Sequence, residues 1–199
     1  MLNADQIKVR FIDELLKSYN LEIIASEVSF FQGYRKADLV CMKDRKTIAF
    51  EVKSDRDKVY RINDQLKDYK DTFQFCYLLT TKDQYKKIVN TVPYKVGVII
   101  INDDQKFVTV KQAIENKRLS KHSLVSSINN NKINKVIKTS KHSTINDKRK
   151  YLEEHSTLDN LNDYFIETLK LKYMSKFKKF LNDRGQITTL TDLYYLQSI

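Results

Sequence analysis

At 199 residues and 23.6 kDa, with 41% hydrophobic side chains, the chain is expected to build one core with an appendage rather than two ordinary domains. Its net charge of +11 is concentrated, because residues 111–150 carry 11 basic and 2 acidic side chains, the pattern of a surface facing a polyanion or of a solvated lysine-rich one. No apolar run is long enough for a membrane span, and charges interrupt the N-terminal apolar residues, so no signal-peptide h-region is expected; Cys41 and Cys76 stand in separate apolar runs, which suits free thiols in a reducing, cytoplasmic setting.

Residues 4–18 place Ile7, Phe11, Leu15 and Val9, Ile12, Leu16 at helical spacing, so an amphipathic helix opens the chain. Three strands follow, at 26–31, 37–42 and 47–52, joined by "QGYRK" and "KDRK" as a meander. Residues 56–70 align Val59, Ile62, Leu66 and Tyr69 on a helical stripe, with Asp55 or Asp57 as N-cap. A buried strand at 73–79, a short helix at 82–91 ended near Pro93, a buried strand at 95–101 and a short edge strand, "KFVTV", complete a section spanning residues 1–110.

Residues 111–155 are polar, basic and rich in serine and asparagine, and read as short helices and loops forming an arm rather than a second core; the two copies of "SKHS", at 120–123 and 140–143, are too short to make a repeat. In residues 156–199 a long helix, capped by Ser156 or Thr157 and stopped by Gly185, precedes an apolar stretch, "TDLYYLQSI", that packs back.

The chemistry concentrates in "KTIAFEVKSD", residues 46–55. As a strand it points Ile48, Phe50 and Val52 to one face and Ala49, Glu51 and Lys53 to the other, so an acid and a base share the end of an apolar strand where neither is cheap to bury alone. Asp38 lies in the preceding strand, and antiparallel pairing across a short turn brings it toward Glu51. Two convergent carboxylates beside a lysine make a hard-oxygen site for a divalent ion, with an ammonium at hand for a phosphate or a polarised water.

The string Asp38, twelve residues, then Glu51-Val52-Lys53 resembles the PD-(D/E)xK nuclease superfamily, and the order helix, three strands, helix, strand resembles its restriction-endonuclease-like core over roughly residues 1–101. Ala37 stands where that pattern often has proline. "RINDQLKDY" is similar to the Q-xxx-Y element of RecB-like nucleases, and "EVSFFQGYRKADLV" and "VPYKVGVIII" resemble small uncharacterised bacterial and phage members. The resemblance implies an α/β fold with a basic, mainly helical C-terminal extension and a Mg²⁺-dependent deoxyribonuclease, endonucleolytic rather than exonucleolytic, in which Mn²⁺ can substitute. It implies that Asp38, Glu51 and the carbonyl of Val52 hold the ion, that Glu27 adds a ligand or an acceptor behind one, that Lys53 orients the nucleophile or offsets transition-state charge, and that Gln65 positions water or the DNA backbone. Arg61 and, from the basic segment, Lys132, Lys135, Lys138 and Lys141 are the expected nucleic-acid contacts.

The same residues leave a second reading open, a nucleic-acid-binding or partner-dependent module that keeps the fold without catalysis. Either reading has DNA as partner and no membrane, and accommodates a homodimer or a protein partner. His122, His142 and His155 have no metal-site spacing, and no GxxxxGK[ST] loop is present.

Overall fold

A capping box starts the first helix: the Gln6 amide donates to the Asn3 side chain at 2.9 Å and the Asn3 amide to the Gln6 side chain at 3.0 Å, satisfying two otherwise orphaned donors. In the computed structural model, which describes residues 2–138 and 144–197, this helix is α1 (Ala4–Ser18). It is followed by β1 (Ile23–Phe30), β2 (Arg35–Lys43), β3 (Lys46–Lys53), α2 (Ile62–Thr72), β4 (Phe75–Thr81), α3 (Lys82–Ile88), β5 (Gly97–Ile101) and β6 (Phe107–Lys111). The remaining helices are α4 (Lys121–Ser127), α5 (Asn130–Val136), α6 (Ile145–His155), α7 (Leu158–Asp183) and α8 (Leu190–Tyr195).

Among the described residues six strands form one mixed sheet in chain order. β1, β2 and β3 are antiparallel neighbours, as short turns require, whereas α2 and α3 are the crossovers that let β4 and β5 continue parallel to β3; β6 returns antiparallel at the edge. At the start of β5 only glycine fits: a side chain on Gly97 would lie 2.3 Å from the Tyr77 ring and 2.6 Å from the Ala113 amide.

Apolar side chains fill both sheet faces. On one, Ile23, Val40, Met42, Ala49 and Leu78 pack against Leu66 of α2, Leu124 of α4, Leu152 of α6 and Phe165 of α7. On the other, Ile24, Leu39, Cys41, Phe50 and Val52 lie under Ile7, Phe11, Ile12 and Leu15 of α1, with Phe177 and Phe180 of α7 and Leu193 of α8. At about 1.5 Å per residue, the 26 residues of α7 are long enough to serve one face as far as Met174 and the other from Phe177 on. Cys41 and Cys76 are free and buried, and burial pushes both thiols up. Among the described residues no helix is long and apolar enough to cross a membrane.

Several expectations change. Residues 56–61 are not helical, because Asp57 closes a turn on the amide and hydroxyl of Ser54 at 2.7 and 2.6 Å, and its carbonyl accepts from Gln84 Nε2 at 2.7 Å. Asp55 accepts from the Thr81 hydroxyl. Neither aspartate caps α2, whose N-cap is Arg61, without a side-chain bond. β1 begins at Ile23 and ends at Phe30, where Phe31, Gln32 and Gly33 turn through left-handed backbone.

The helices of residues 111–155 are not an arm. Leu124, Val125 and Ile128 are buried at helical spacing beside the small Ser123 and Ser126, and Arg149 of α6 ties the end of α4 by donating to the carbonyls of Val125 and Ile128. Thr157, not Ser156, caps α7, and the helix stops at Arg184, which turns to extended backbone just before Gly185.

Candidate active site

Three neighbouring strands each contribute one carboxylate to a row across the sheet. β1 pairs with β2 at Ser26↔Leu39 and Val28↔Ala37, which leaves Glu27 across from Asp38; the β2–β3 pairing reaches Leu39↔Phe50, one step short of Asp38 and Glu51. There a carboxylate replaces the next backbone rung: the Val52 amide donates to Asp38 Oδ2 at 2.7 Å. Glu51 is only 1% exposed and forms an ion pair with Lys53 Nζ at 2.7 Å. Burial first, and the Glu51 charge second, push the Asp38 carboxyl up to about 7, although Lys8 and the Val52 amide pull it down.

Two buried groups fix this row. The Tyr69 hydroxyl accepts the Asp38 amide at 3.0 Å and faces the Lys36 carbonyl at 3.3 Å, and its ring is held edge-on by Phe30 and Phe73. Burial, reinforced by the charges of Asp38 and Glu51, keeps this phenol well above its ordinary value, hence neutral. Lys8, only 4% exposed, reaches from α1 to Glu27 at 2.7 Å and Asp5 at 3.0 Å. Burial pulls its ammonium down, but the bonds to Glu27 and Asp5 and the charge of Asp38 outweigh it, so its net shift is upward. Glu27 itself has a left-handed backbone, φ 52°, in mid-strand, a conformation that costs about 1–3 kcal/mol. Its effect is a one-residue change of phase: Ile23 and Ala25 before it and Val28 and Phe30 after it all face the same core.

Asp38 opens onto a cleft of about 590 Å³ between the start of β2 and the first turns of α2. Its polar and aromatic lining also includes Tyr34, Arg35, Lys36, Lys58, Tyr60, Arg61, Asp64, Gln65 and Asp68, with Phe30 and Tyr69. Arg35 is bonded to Asp68, and the Arg61 guanidinium lies 5.4 Å from the centre of the Tyr60 ring.

The structure thus gathers Asp38, Glu51, Val52 and Lys53, and brings Gln65 and Arg61 to the cleft that Asp38 lines. Glu27 is in the row but engaged by Lys8. The contact that Val52 makes with Asp38 is through its amide. Lys132, Lys135 and Lys138 do not line the cleft. Lys132 of α5 is paired with Glu167 and lies over the Tyr164 ring, while Lys135 and Lys138 are exposed. Lys141 and the second "SKHS" lie outside the described residues.

Sequence reasoning missed Lys8, although it sits three, four and seven residues before Phe11, Ile12 and Leu15, on the buried stripe of α1. A lysine on a core stripe is the signal that was there to read. It placed Tyr69 on the packing stripe of α2 and in the Q-xxx-Y-like element, but did not foresee that its hydroxyl holds the Asp38 backbone.

Two carboxylates completed by water and phosphate oxygens are a donor set that Mg²⁺ accepts, and Asp38 and Glu51 are such a pair. Burial raises Asp38 most and the Glu51 charge second, and a divalent cation would offset that repulsion. Among the described residues no group of three or more His, Cys, Asp or Glu side chains gathers in a metal-holding arrangement.

The profile of the family described as Bacteriophage P4 protein cII matches residues 1–197, and the chain belongs to that family. A search of curated proteins gives no match. Among solved structures the chain is similar to SPO1766, a protein of unknown function from Silicibacter pomeroyi, at 16% identity and a TM-score of 0.46, over 62% of this chain and 81% of that one.

Proposed function

We propose that the protein is a metal-dependent nuclease with a restriction-endonuclease-like core, hydrolysing phosphodiester bonds in DNA. The observation that carries this reading is the bond from the Val52 amide to Asp38 Oδ2, because it holds the Asp38 carboxylate, which lines a polar cleft, beside Glu51-Val52-Lys53. Asp38 and Glu51 would hold Mg²⁺ or Mn²⁺, which when bound supplies charge to activate a water and to offset the developing negative charge. Lys53, already 2.7 Å from Glu51, places an ammonium where phosphate charge builds up. Gln65, on the cleft wall, presents an amide able to orient water or a phosphate oxygen. Tyr69 and Lys8 position the carboxylates from behind. Arg61 on the cleft and the lysines of α5 supply attraction for the nucleic-acid backbone.

The test is incubation of the wild type, Glu51→Gln and Lys53→Ala with supercoiled plasmid, linear duplex and single strands in Mg²⁺, Mn²⁺ or EDTA. Cleavage by the wild type alone, abolished by EDTA, is the expected result. Full metal-dependent cleavage by purified Glu51→Gln would sink the proposal.

One observation favours a second reading, a nucleic-acid-binding module without catalysis. Glu51 and Glu27 are each bonded to a lysine of the same chain, so much of the row's charge is balanced internally. That reading predicts salt-sensitive DNA binding with no turnover in any metal.

A further inference from the structure

The cleft carries aromatic surface that the fold does not use. Tyr34 and Tyr60 are 77% and 73% exposed, yet both line the cleft with Asp38. They come from separate segments, the turn before β2 and the loop before α2. Around them stand four cations, Arg35, Lys36, Lys58 and Arg61, and three carboxylates, Asp38, Asp64 and Asp68. Arg35 is neutralised by Asp68; among the described residues Lys36, Lys58 and Arg61 form no ion pair, and Arg61 instead lies beside the Tyr60 ring.

We infer that the cleft binds a single strand, with unpaired bases stacked on Tyr34 and Tyr60 and the backbone drawn toward Asp38 by Lys36, Lys58 and Arg61. This rests on the reading of the cleft as a nucleic-acid site and specifies which strand form it takes. Every base offers a π-face to a tyrosine, but only an unpaired base can present it, since in a duplex those faces are covered by neighbouring pairs. Cations that track a backbone, interleaved with exposed rings, are the means by which single strands are held without sequence preference. The volume of about 590 Å³ falls in the range of roughly 300–1,000 Å³ that encloses one small ligand. That is room for a nucleotide unit at Asp38, not for a duplex.

The test measures binding in EDTA, so that no cleavage is needed to read it. A fluorescein-labelled DNA strand and the same strand annealed to its complement are titrated, by anisotropy, with wild type, Tyr34→Ala/Tyr60→Ala, Tyr34→Phe/Tyr60→Phe and the control Tyr94→Ala. Tyr94 is 78% exposed and outside the cleft lining. The single strand is expected to bind more tightly than the duplex to the wild type. The alanine pair should weaken single-strand binding by roughly 30-fold or more, the equivalent of at least about 1 kcal/mol for each of two stacked bases. It should leave duplex binding unchanged, and the phenylalanine pair and Tyr94→Ala should behave as wild type. Duplex binding equal to or tighter than single-strand binding would overturn the inference, a comparison that needs no variant; so would an alanine pair that weakens both forms alike or neither. Cleavage in Mg²⁺, assayed separately, distinguishes the two failures. Tyrosine-dependent strand binding without cleavage defeats only the nuclease reading, and cleavage indifferent to both tyrosines defeats only this one.

Discussion

Asp38 and Val52 are joined by a side chain where the ladder calls for backbone: the Val52 amide donates to Asp38 Oδ2 at 2.7 Å, one step beyond the last rung of the β2–β3 pairing. The strands part at that point, and the carboxylate that ends the ladder also opens onto the cleft. Structure and proposed chemistry are coupled through one residue, which makes its substitution informative.

Asp38→Asn should lower metal-dependent cleavage by at least about 100-fold, the scale of losing one electrostatic stabiliser, while raising thermal stability at alkaline pH. The carboxyl titrates near 7 in the folded protein against an ordinary 3.8, so the folded state binds the proton more tightly. Stability present at low pH is therefore lost as pH rises from about 4 through about 7. Melting curves in EDTA at pH 5 and pH 8 should show this fall for wild type and a flatter profile for Asp38→Asn. Added Mg²⁺ should restore the melting temperature at pH 8 only in the wild type.

The row itself was readable before the fold was known. Asp38 and Glu51-Val52-Lys53 stand out because charged residues interrupt runs otherwise apolar, and a meander puts them within reach of one another. The helix of 4–18 was equally plain, since its periodicity is local. What could not be read was the role of residues 121–155, where Leu124, Val125, Ile128 and Leu152 are too sparse among serines, asparagines and lysines to reveal a core face until α7 and the sheet are beside them. The start of α2 was misjudged for a related reason: Asp57 has the chemistry of an N-cap, and only the fold shows its carboxylate closing on Ser54.

Lys53→Ala should reduce cleavage by about 10²–10³-fold and also destabilise the fold. It strips Glu51, which is 1% exposed, of its partner at 2.7 Å, and breaking a buried pair costs about 3–5 kcal/mol. Lys53→Met combined with Glu51→Gln should regain most of that stability without regaining activity. Denaturant titration and plasmid cleavage of the same preparations separate the two effects.

Lys8→Met should move the titration of Asp38 upward, because Lys8 pulls that carboxyl down. It should also free Glu27 from its 2.7 Å bond. Carboxyl-carbon chemical shifts followed over pH report the change directly. An Asp38 titration identical to wild type would mean that the two groups do not communicate.

Tyr69→Phe keeps the ring contacts with Phe30 and Phe73 but removes the acceptor of the Asp38 amide. The expected cost is about 1–3 kcal/mol for a donor left without a partner, together with slower cleavage at unchanged single-strand binding. A stability loss with full cleavage would confine Tyr69 to a packing role.

The contact between β1 and the region after α8 sets an order of events during synthesis. The Ser26 amide, next to the strained Glu27, donates to the carbonyl of Leu196 at 3.0 Å, and Gln197 bridges to Ser26. A nascent chain that has reached only Gly185 already holds all six strands and every residue of the carboxylate row. It lacks the clasp that closes on β1 beside Glu27, so the row gains this brace only once Leu196 and Gln197 have left the ribosome as well.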